Sequence, residues 1–130
     1  MTNSEPLVSV VMSVNRDDGN LYDSINSILS QSYKNIEFLI VSDGSSKDVS
    51  QVLKKIKDKR IIFLEQKKIG LTACLNFGIS KSKGEYIARQ DAGDFSDKNR
   101  FFEQIKFLEL FEKSETFSIL LNLGLFFIIS

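Results

Sequence analysis

Two short acidic segments hold the side chains best suited to chemistry in this sequence. Residues 43–46 read Asp-Gly-Ser-Ser, and residues 91–94 read Asp-Ala-Gly-Asp. A carboxylate such as Asp43 can accept hydrogen bonds from a nucleobase or a ribose, and an adjacent glycine lets the backbone approach a ligand closely. The carboxylates of Asp91 and Asp94 suit a hard divalent cation that would bridge to a diphosphate.

Each segment also has a purely structural explanation. A turn followed by a helix would use the same residues at 43–46, with Ser45 or Ser46 as the N-cap. Residues 91–94 would equally form a solvated loop in which Gly93 takes a positive φ. Neither segment alone decides between the explanations. Two acidic loops on one edge of a sheet would favour a binding site.

The composition excludes several classes of function. The chain has 130 residues, the size of one domain, and its 17 basic and 17 acidic residues balance. No net charge therefore attracts nucleic acid. The sequence has no histidine and one cysteine, Cys74, which excludes histidine-based catalysis, an internal disulfide and a CxxC metal site. Cys74 is more typical of a small core residue than of a nucleophile.

The alternation of apolar runs and helical stripes predicts the elements that position the two acidic segments. Valine- and isoleucine-rich runs at residues 7–14, 36–41, 61–64 and 86–89 predict strands, and helical stripes begin at Leu21, Val49, Leu71 and Phe101. This order predicts an α/β fold, with a mostly parallel sheet flanked by helices. Ligands bind such sheets at the carboxyl ends of the strands. We therefore expect residues 13–16, 42–46 and 90–94 to share one edge.

The last part of the sequence differs from the rest. Residues 117–130 include ten large apolar residues in fourteen, fewer than the roughly 20 that a membrane-spanning helix needs. We divide the chain into an incomplete domain at residues 1–114 and an apolar tail at residues 115–130. The tail is compatible with a buried strand or helix, with an interfacial segment, or with sequence foreign to the fold. An ending inside an apolar run predicts truncation.

Nothing at the N-terminus is typical of a signal peptide. We therefore expect a cytoplasmic protein, or one at the inner face of the membrane. The tail offers a surface for peripheral membrane association or for pairing with another subunit.

Several collinear segments resemble the family 2 glycosyltransferases. The resemblance begins at residues 7–12 (Leu-Val-Ser-Val-Val-Met), 27–33 and 35–45, and continues in the family's order at residues 69–71, 75–79, 83–89 and 99–101. It covers residues 6 to about 112. It implies the N-terminal half of a GT-A-type fold, in which a Rossmann-like half binds the nucleotide-sugar. It further implies polysaccharide biosynthesis through transfer of a sugar from a UDP- or dTDP-sugar to an acceptor hydroxyl, with inversion and with Mn²⁺ or Mg²⁺.

The resemblance also assigns roles to individual positions. Residues 13–16 (Ser-Val-Asn-Arg) occupy the family's Pro-Val-Tyr-Asn loop, so Asn15 replaces the tyrosine that helps hold the base. Asp43 matches the base-binding aspartate of Asp-Asp-Gly-Ser, while Ser42 replaces the first aspartate. Gly93 stands where Asp-Ala-Asp-Asp places the main metal-contacting aspartate. The implied nucleotide-sugar site is Ser13, Val14, Asn15, Asp43, Gly44, Ser45, Arg89 and Asp91, and the implied metal ligands are Asp91 and Asp94.

The resemblance leaves the catalytic residues unknown. The family's general base lies in the C-terminal half, which is absent from this sequence, as is much of the pocket for a saccharide or lipid-linked acceptor. A catalytically inactive remnant or a non-enzymatic nucleotide-binding module is therefore the alternative to an active transferase. A doubly wound receiver-type domain is a third interpretation, which the collinear motifs disfavour.

Overall fold

Four helices alternate with the strands of one parallel sheet in the computed structural model, which describes residues 5–44, 47–113 and 128–129. This arrangement confirms the α/β class predicted from the sequence. The elements are β1 (Val8–Val14), α1 (Leu21–Leu29), β2 (Ile36–Asp43), α2 (Lys47–Lys55), β3 (Ile61–Gln66), α3 (Leu71–Lys81), β4 (Tyr86–Arg89), α4 (Arg100–Glu112) and β5 (Ile128–Ile129).

The strand order β3-β2-β1-β4-β5 creates a gap beside the end of β1. The chain moves outward from β1 to β3 on one side, and then crosses to place β4 on the other side, so the direction of winding reverses next to β1. Val11 of β1 pairs with Arg89, the last residue of β4, whereas Val14 pairs with Ser42 of β2. β1 therefore extends three residues beyond β4, about 10 Å, and leaves room for a ligand.

The core explains why the central strands carry continuous apolar runs. β1 and β2 lie between helices, and their side chains are buried on both faces except for the half-buried Ser13. This is the pattern of parallel strands covered on two sides. β3 pairs only with β2, and five of its six residues, Ile61–Leu64 and Gln66, are half-buried. α1 contributes Leu21, Ile25 and Ile28 to the core, and α4 contributes Phe101 and Ile105.

The predicted ends of two elements need correction. β2 does not stop at Val41, because Ser42 and Asp43 continue the pairing with β3. Asp18 and Asn20 both precede α1 and are of types that cap helices. Asn20 is the N-cap residue but makes no side-chain capping bond, and Oδ1 of Asp17 instead accepts the amide of Leu21 at 3.2 Å. The apolar spacing predicts the helix, but it carries no information on which acidic side chain turns inward.

The proposed boundary at residue 114 and the status of the tail stay predictions. Of residues 115–130, the structure describes only Ile128 and Ile129, which pair in parallel with Ile87 and Ala88 of β4. The rest of the tail lies outside the described residues. Within the described residues, none of the helices is both long and apolar enough to cross a membrane.

Gly78 permits close packing of α3 on the sheet. A Cβ atom at this position would lie 2.5 Å from Cγ1 of Val11 and 3.1 Å from Cγ2 of Val41. We expect Gly78→Ala to lower the free energy of unfolding by about 1–3 kcal/mol, because neither β-branched side chain can move aside in the filled core. Chemical denaturation measures the difference. Asn76→Ala, at an exposed position of the same helix, is the control and should be neutral or slightly stabilising; equal stability of the two variants would contradict the packing.

Candidate functional site

A cavity of about 340 Å³ lies at the carboxyl ends of β1 and β2, within the size range of small-molecule sites. It brings together the loop after β1, the end of β2, the start of α3 and the loop after β4. Its lining consists of Ser13, Val14, Asn15, Arg16, Asp18, Leu21, Asp43, Leu71 and Ala92. We call it the first cavity. Four of the residues predicted for the nucleotide-sugar site, Ser13, Val14, Asn15 and Asp43, line it together.

Asp43 joins the end of β2 to the start of α3. Its Oδ1 accepts the backbone amide of Ile69 at 2.7 Å and that of Gly70 at 3.0 Å. These two bonds are the main reason that the pKa of Asp43 lies below its ordinary value, with smaller contributions from the Cys74 thiol and the Lys68 ammonium group. Asp43 is 7% exposed. The carboxylate is therefore ionised at neutral pH and held in a fixed orientation at the cavity.

Cys74 lies next to Asp43 and is fully buried. Burial is the main cause that raises the pKa of its thiol, and the neighbouring Asp43 carboxylate adds to the rise while Ser13 opposes it. A thiol with a raised pKa and no exposed surface is a poor nucleophile. These features support the interpretation of Cys74 as a small core residue.

Gly44 does not line the first cavity, so a ligand in that cavity does not explain why a glycine is needed here. It takes a φ of 64°, and a Cβ atom there would lie 3.1 Å from Cβ of Lys68 and 3.2 Å from the Lys68 backbone nitrogen. The close approach is thus made by the segment that leads into α3. Ser45, the next residue of the predicted site, lies outside the described residues.

A second cavity, of about 530 Å³, lies beside the loop after β4. It is lined by Arg89, Gln90, Asp91, Asp94, Phe95, Ser96, Asp97 and Arg100. Arg89, Asp91 and Asp94 of the predicted site belong to it, so the structure divides the predicted residues between two cavities. Their linings meet along the chain, since Ala92 faces the first cavity and Asp91 the second.

Arg89 and Asp91 form a bidentate ion pair in the second cavity. Nε of Arg89 lies 2.7 Å from Oδ1 of Asp91, and Nη2 lies 3.1 Å from Oδ2. The pair raises the pKa of Arg89, chiefly through the side-chain hydrogen bond. Both groups are partly exposed, so the pair contributes little to stability. The pair mainly affects Asp91 itself, because both of its carboxylate oxygens already face the positive charge of Arg89.

Residues that the predicted binding and metal sites did not include fix the loop between β4 and α4. Arg100 donates from Nη1 to Oε1 of Gln90 at 2.8 Å and from Nη2 to the carbonyl of Arg89 at 2.9 Å. Gln90 donates in turn to the Asp94 carbonyl at 2.8 Å, and Gln31 receives the amide of Phe101 at 3.1 Å. The only available signals were the position of Gln90 after a strand and the Asn-Arg-Phe segment at residues 99–101, neither of which specifies a contact.

The remaining carboxylates do not fit the metal ion that the resemblance implies. Gly93 has a φ of 92°, and a Cβ atom there would lie 3.2 Å from Oδ2 of Asp18. Gly93 has no side chain that could ligate a metal, and both carboxylate oxygens of Asp91 are hydrogen-bonded to Arg89. Within the described residues, no group of three or more His, Cys, Asp or Glu side chains is arranged to hold a metal ion. The assignment of Asp91 and Asp94 as metal ligands therefore stays a prediction without structural support.

Comparison with known proteins adds family relationships to this geometry. The sequence model described as "Glycosyl transferase family 2" matches residues 9–115. The chain is 40% identical over 111 residues to the putative glycosyltransferase EpsE of Bacillus subtilis, which covers 82% of this chain and 40% of that protein. It is 36% identical over 104 residues to the Escherichia coli enzyme named UDP-Glc:alpha-D-GlcNAc-diphosphoundecaprenol beta-1,3-glucosyltransferase WfaP, covering 79% of this chain and 41% of that protein.

A solved structure with a similar fold is the mannosyltransferase PcManGT from Pyrobaculum calidifontis, in complex with GDP-Man and Mn²⁺. The TM-score is 0.72 at 18% sequence identity, and the match covers 82% of this chain and 33% of that one. At this identity the likeness establishes the fold alone. The chain spans less than half the length of the curated relatives that it matches.

The contacts of Asp43 predict an acid-dependent contribution to stability. An unfolded aspartate has a pKa of about 3.9, and the folded pKa of Asp43 is lower, so the ionised form stabilises the fold above the unfolded value. That contribution is lost as the pH falls through the folded pKa. We expect the stability advantage of the wild-type protein over Asp43→Asn to shrink over this range in urea titrations at a series of pH values.

The Asp58→Asn variant is the control for this measurement. It removes a carboxylate whose pKa is also lowered, chiefly by the side-chain hydrogen bond from Arg60, but it keeps Asp43. As the pH falls, the stability advantage of Asp58→Asn over Asp43→Asn should therefore still shrink. Parallel pH profiles of the wild-type and Asp43→Asn proteins would show that the two backbone bonds do not favour the ionised form.

Proposed function

Because this chain belongs to glycosyl transferase family 2, we propose that its first cavity binds the nucleotide of a nucleotide-sugar donor. The observation that carries this proposal is the ionised, oriented carboxylate of Asp43 at the carboxyl edge of β2. The site lies where the strand order reverses, which is the usual ligand position in open α/β sheets. A GT-A glycosyltransferase fold, shared with PcManGT, agrees with this use.

The lining of the first cavity supports an orientation for the nucleotide. Asp43 offers an acceptor for an N–H group of the base, and uracil and thymine each carry one at N3. Leu71, which is 50% exposed at the start of α3, offers an apolar surface in place of the absent tyrosine. The base would then lie near Asp43 and Leu71, with the diphosphate directed towards Arg16 and Ala92. A UDP- or dTDP-sugar fits this arrangement, and the name of WfaP includes a UDP-sugar.

For the complete protein we propose transfer of the donor sugar to an acceptor hydroxyl. The acceptor oxygen forms a bond to the anomeric carbon, the bond from that carbon to the diphosphate breaks with inversion, and the hydroxyl proton passes to a general base. Such a base contributes about 10²–10⁴-fold to the rate, and we expect it outside the matched region. Asp91 is paired with Arg89 and Gly93 has no side chain, so neither position offers the leaving diphosphate a metal ion.

A second candidate function is nucleotide binding without catalysis. The observation that favours it is Gly93, which replaces the aspartate expected to contact the metal. A chain that binds the donor but does not transfer the sugar would retain the contacts of Asp43. Donor binding is therefore the property to test first, and transfer assays on the complete protein separate the two functions.

Isothermal titration with UDP in excess MnCl₂ tests donor binding. We expect the chain to bind UDP, and Asp43→Ala to weaken binding by about tenfold or more, because a hydrogen bond to a charged acceptor is lost. Asn15→Ala, at an exposed position in the first cavity, should weaken binding about fivefold. Asn76→Ala is a matched exposed asparagine outside both cavities and should have no effect.

Circular dichroism of each variant provides the folding control, since Asp43 also holds the start of α3. A folded wild-type chain that binds no UDP would overturn the proposed function. Equal effects of Asn15→Ala and Asn76→Ala would place the nucleotide elsewhere.

A further inference from the structure

Arg16 gives the first cavity its one cationic side chain among the described residues that line it. The same lining holds two carboxylates, Asp18 and Asp43. Arg16 is exposed. Both ion pairs of the described residues, Asp58 with Arg60 and Asp91 with Arg89, involve other arginines. Within the described part of the chain, its guanidinium is therefore available to an anionic ligand.

The loop that carries Arg16 is held at several points. The amide of Asp17 donates to Oδ2 of Asp48 on α2 at 3.0 Å. Oδ1 of Asp17 accepts the amides of Gly19 at 2.8 Å and Leu21 at 3.2 Å. The backbone on the C-terminal side of Arg16 is thus fixed to both α1 and α2. On its N-terminal side, Val14 belongs to β1. This support keeps the arginine at the cavity, close to the loop after β4.

Divalent cations find poor ligands at Gly93 and Asp91, which flank Ala92 in the loop after β4. Gly93 has no side chain, and both oxygens of Asp91 are hydrogen-bonded to Arg89. An ion bound at Asp91 would sit beside the guanidinium of Arg89 and be repelled by it. Mg²⁺ sites of this type usually use one or two protein carboxylates together with the substrate phosphates. At Asp91 the ion pair with Arg89 opposes that arrangement.

We propose that Arg16 holds the donor diphosphate in the first cavity and that nucleotide binding by this chain does not require a divalent cation. The inference rests on the proposed donor site and adds the group that faces the phosphates. An arginine presents a planar fork of N–H donors that matches two phosphate oxygens. Its single positive charge also offsets part of the negative charge that a diphosphate would add near Asp18 and Asp43. The diphosphate is bound as an intact anion in this step, and no bond is formed or broken.

Asp18 is the carboxylate of the first cavity through which a divalent cation would bind in competition with the role of Arg16. Its Oδ2 lies 3.2 Å from the place where a side chain at position 93 would begin, so its carboxylate lies near the site of the missing aspartate. Oδ1 of Asp18 accepts the amide of Asn20 at 3.2 Å, which leaves Oδ2 facing Gly93. A metal bound by Asp18 would have this carboxylate and the donor phosphates as ligands, and the Asp18→Asn variant tests for such a metal.

The test compares UDP and uridine binding by the intact chain in EDTA and in excess MnCl₂ at equal ionic strength. We expect the UDP dissociation constants in the two conditions to agree within about twofold. Arg16→Gln should weaken UDP binding by about tenfold or more in both. It should leave uridine binding unchanged, because uridine has no phosphate. Lys106→Gln, an exposed cation on α4 outside both cavities, is the control and should bind both ligands as the wild-type chain does.

Two results would contradict the inference while leaving the proposed donor site intact. The first is UDP binding that Mn²⁺ tightens by more than about fivefold; loss of that tightening in Asp18→Asn would then identify Asp18 as the metal ligand. The second is an Arg16→Gln variant that binds UDP as well as Lys106→Gln does. Absence of both UDP and uridine binding by a folded chain would instead overturn the donor site, and this inference with it.

Discussion

The hydrogen bonds from the backbone of Ile69 and Gly70 to Asp43 determine the form of the site. They connect the end of β2 to the start of α3, and they place Leu71 at the edge of the first cavity. They also favour the ionised carboxylate, since each amide donates to a negatively charged oxygen. One side chain therefore shapes the cavity and supplies its fixed negative charge. A substitution that kept the shape but removed the charge, such as asparagine, would separate the two roles.

The two cavities differ in how their charges are balanced. In the second cavity Arg89 already neutralises Asp91, and Arg100 ties the neighbouring backbone to Gln90. These polar groups of the loop after β4 thus have partners within the protein, and the loop does not need a ligand to order it. In the first cavity Arg16 has no ion-pair partner among the described residues, and Asp43 is compensated mainly by backbone amides. Because free charges attract counter-charges, the first cavity is the better site for a charged ligand.

The sequence predicts the fold better than it predicts the contacts. The apolar runs and helical stripes predicted four strands and four helices, because a parallel sheet buries both faces of its central strands and leaves a continuous apolar pattern. The same reasoning brought Ser13, Val14, Asn15 and Asp43 to one edge. It could not predict that Asp17 would bond to α1 in place of Asp18, or that Arg89 would pair with Asp91. Such choices depend on the rotation of individual side chains, which periodicity does not encode.

Arg16 and Asp18 together give a physical interpretation of Gly93, at the position where the resemblance implies an aspartate. An aspartate at position 93 would bring a second carboxylate against Asp18, whose oxygen lies 3.2 Å from the required Cβ position. Two adjacent carboxylates repel each other unless a cation lies between them. A glycine removes that repulsion, and with it the need for a cation at this point of the loop. A cation is then required only where the diphosphate itself lies, and Arg16 is the side chain of the first cavity that can meet that requirement.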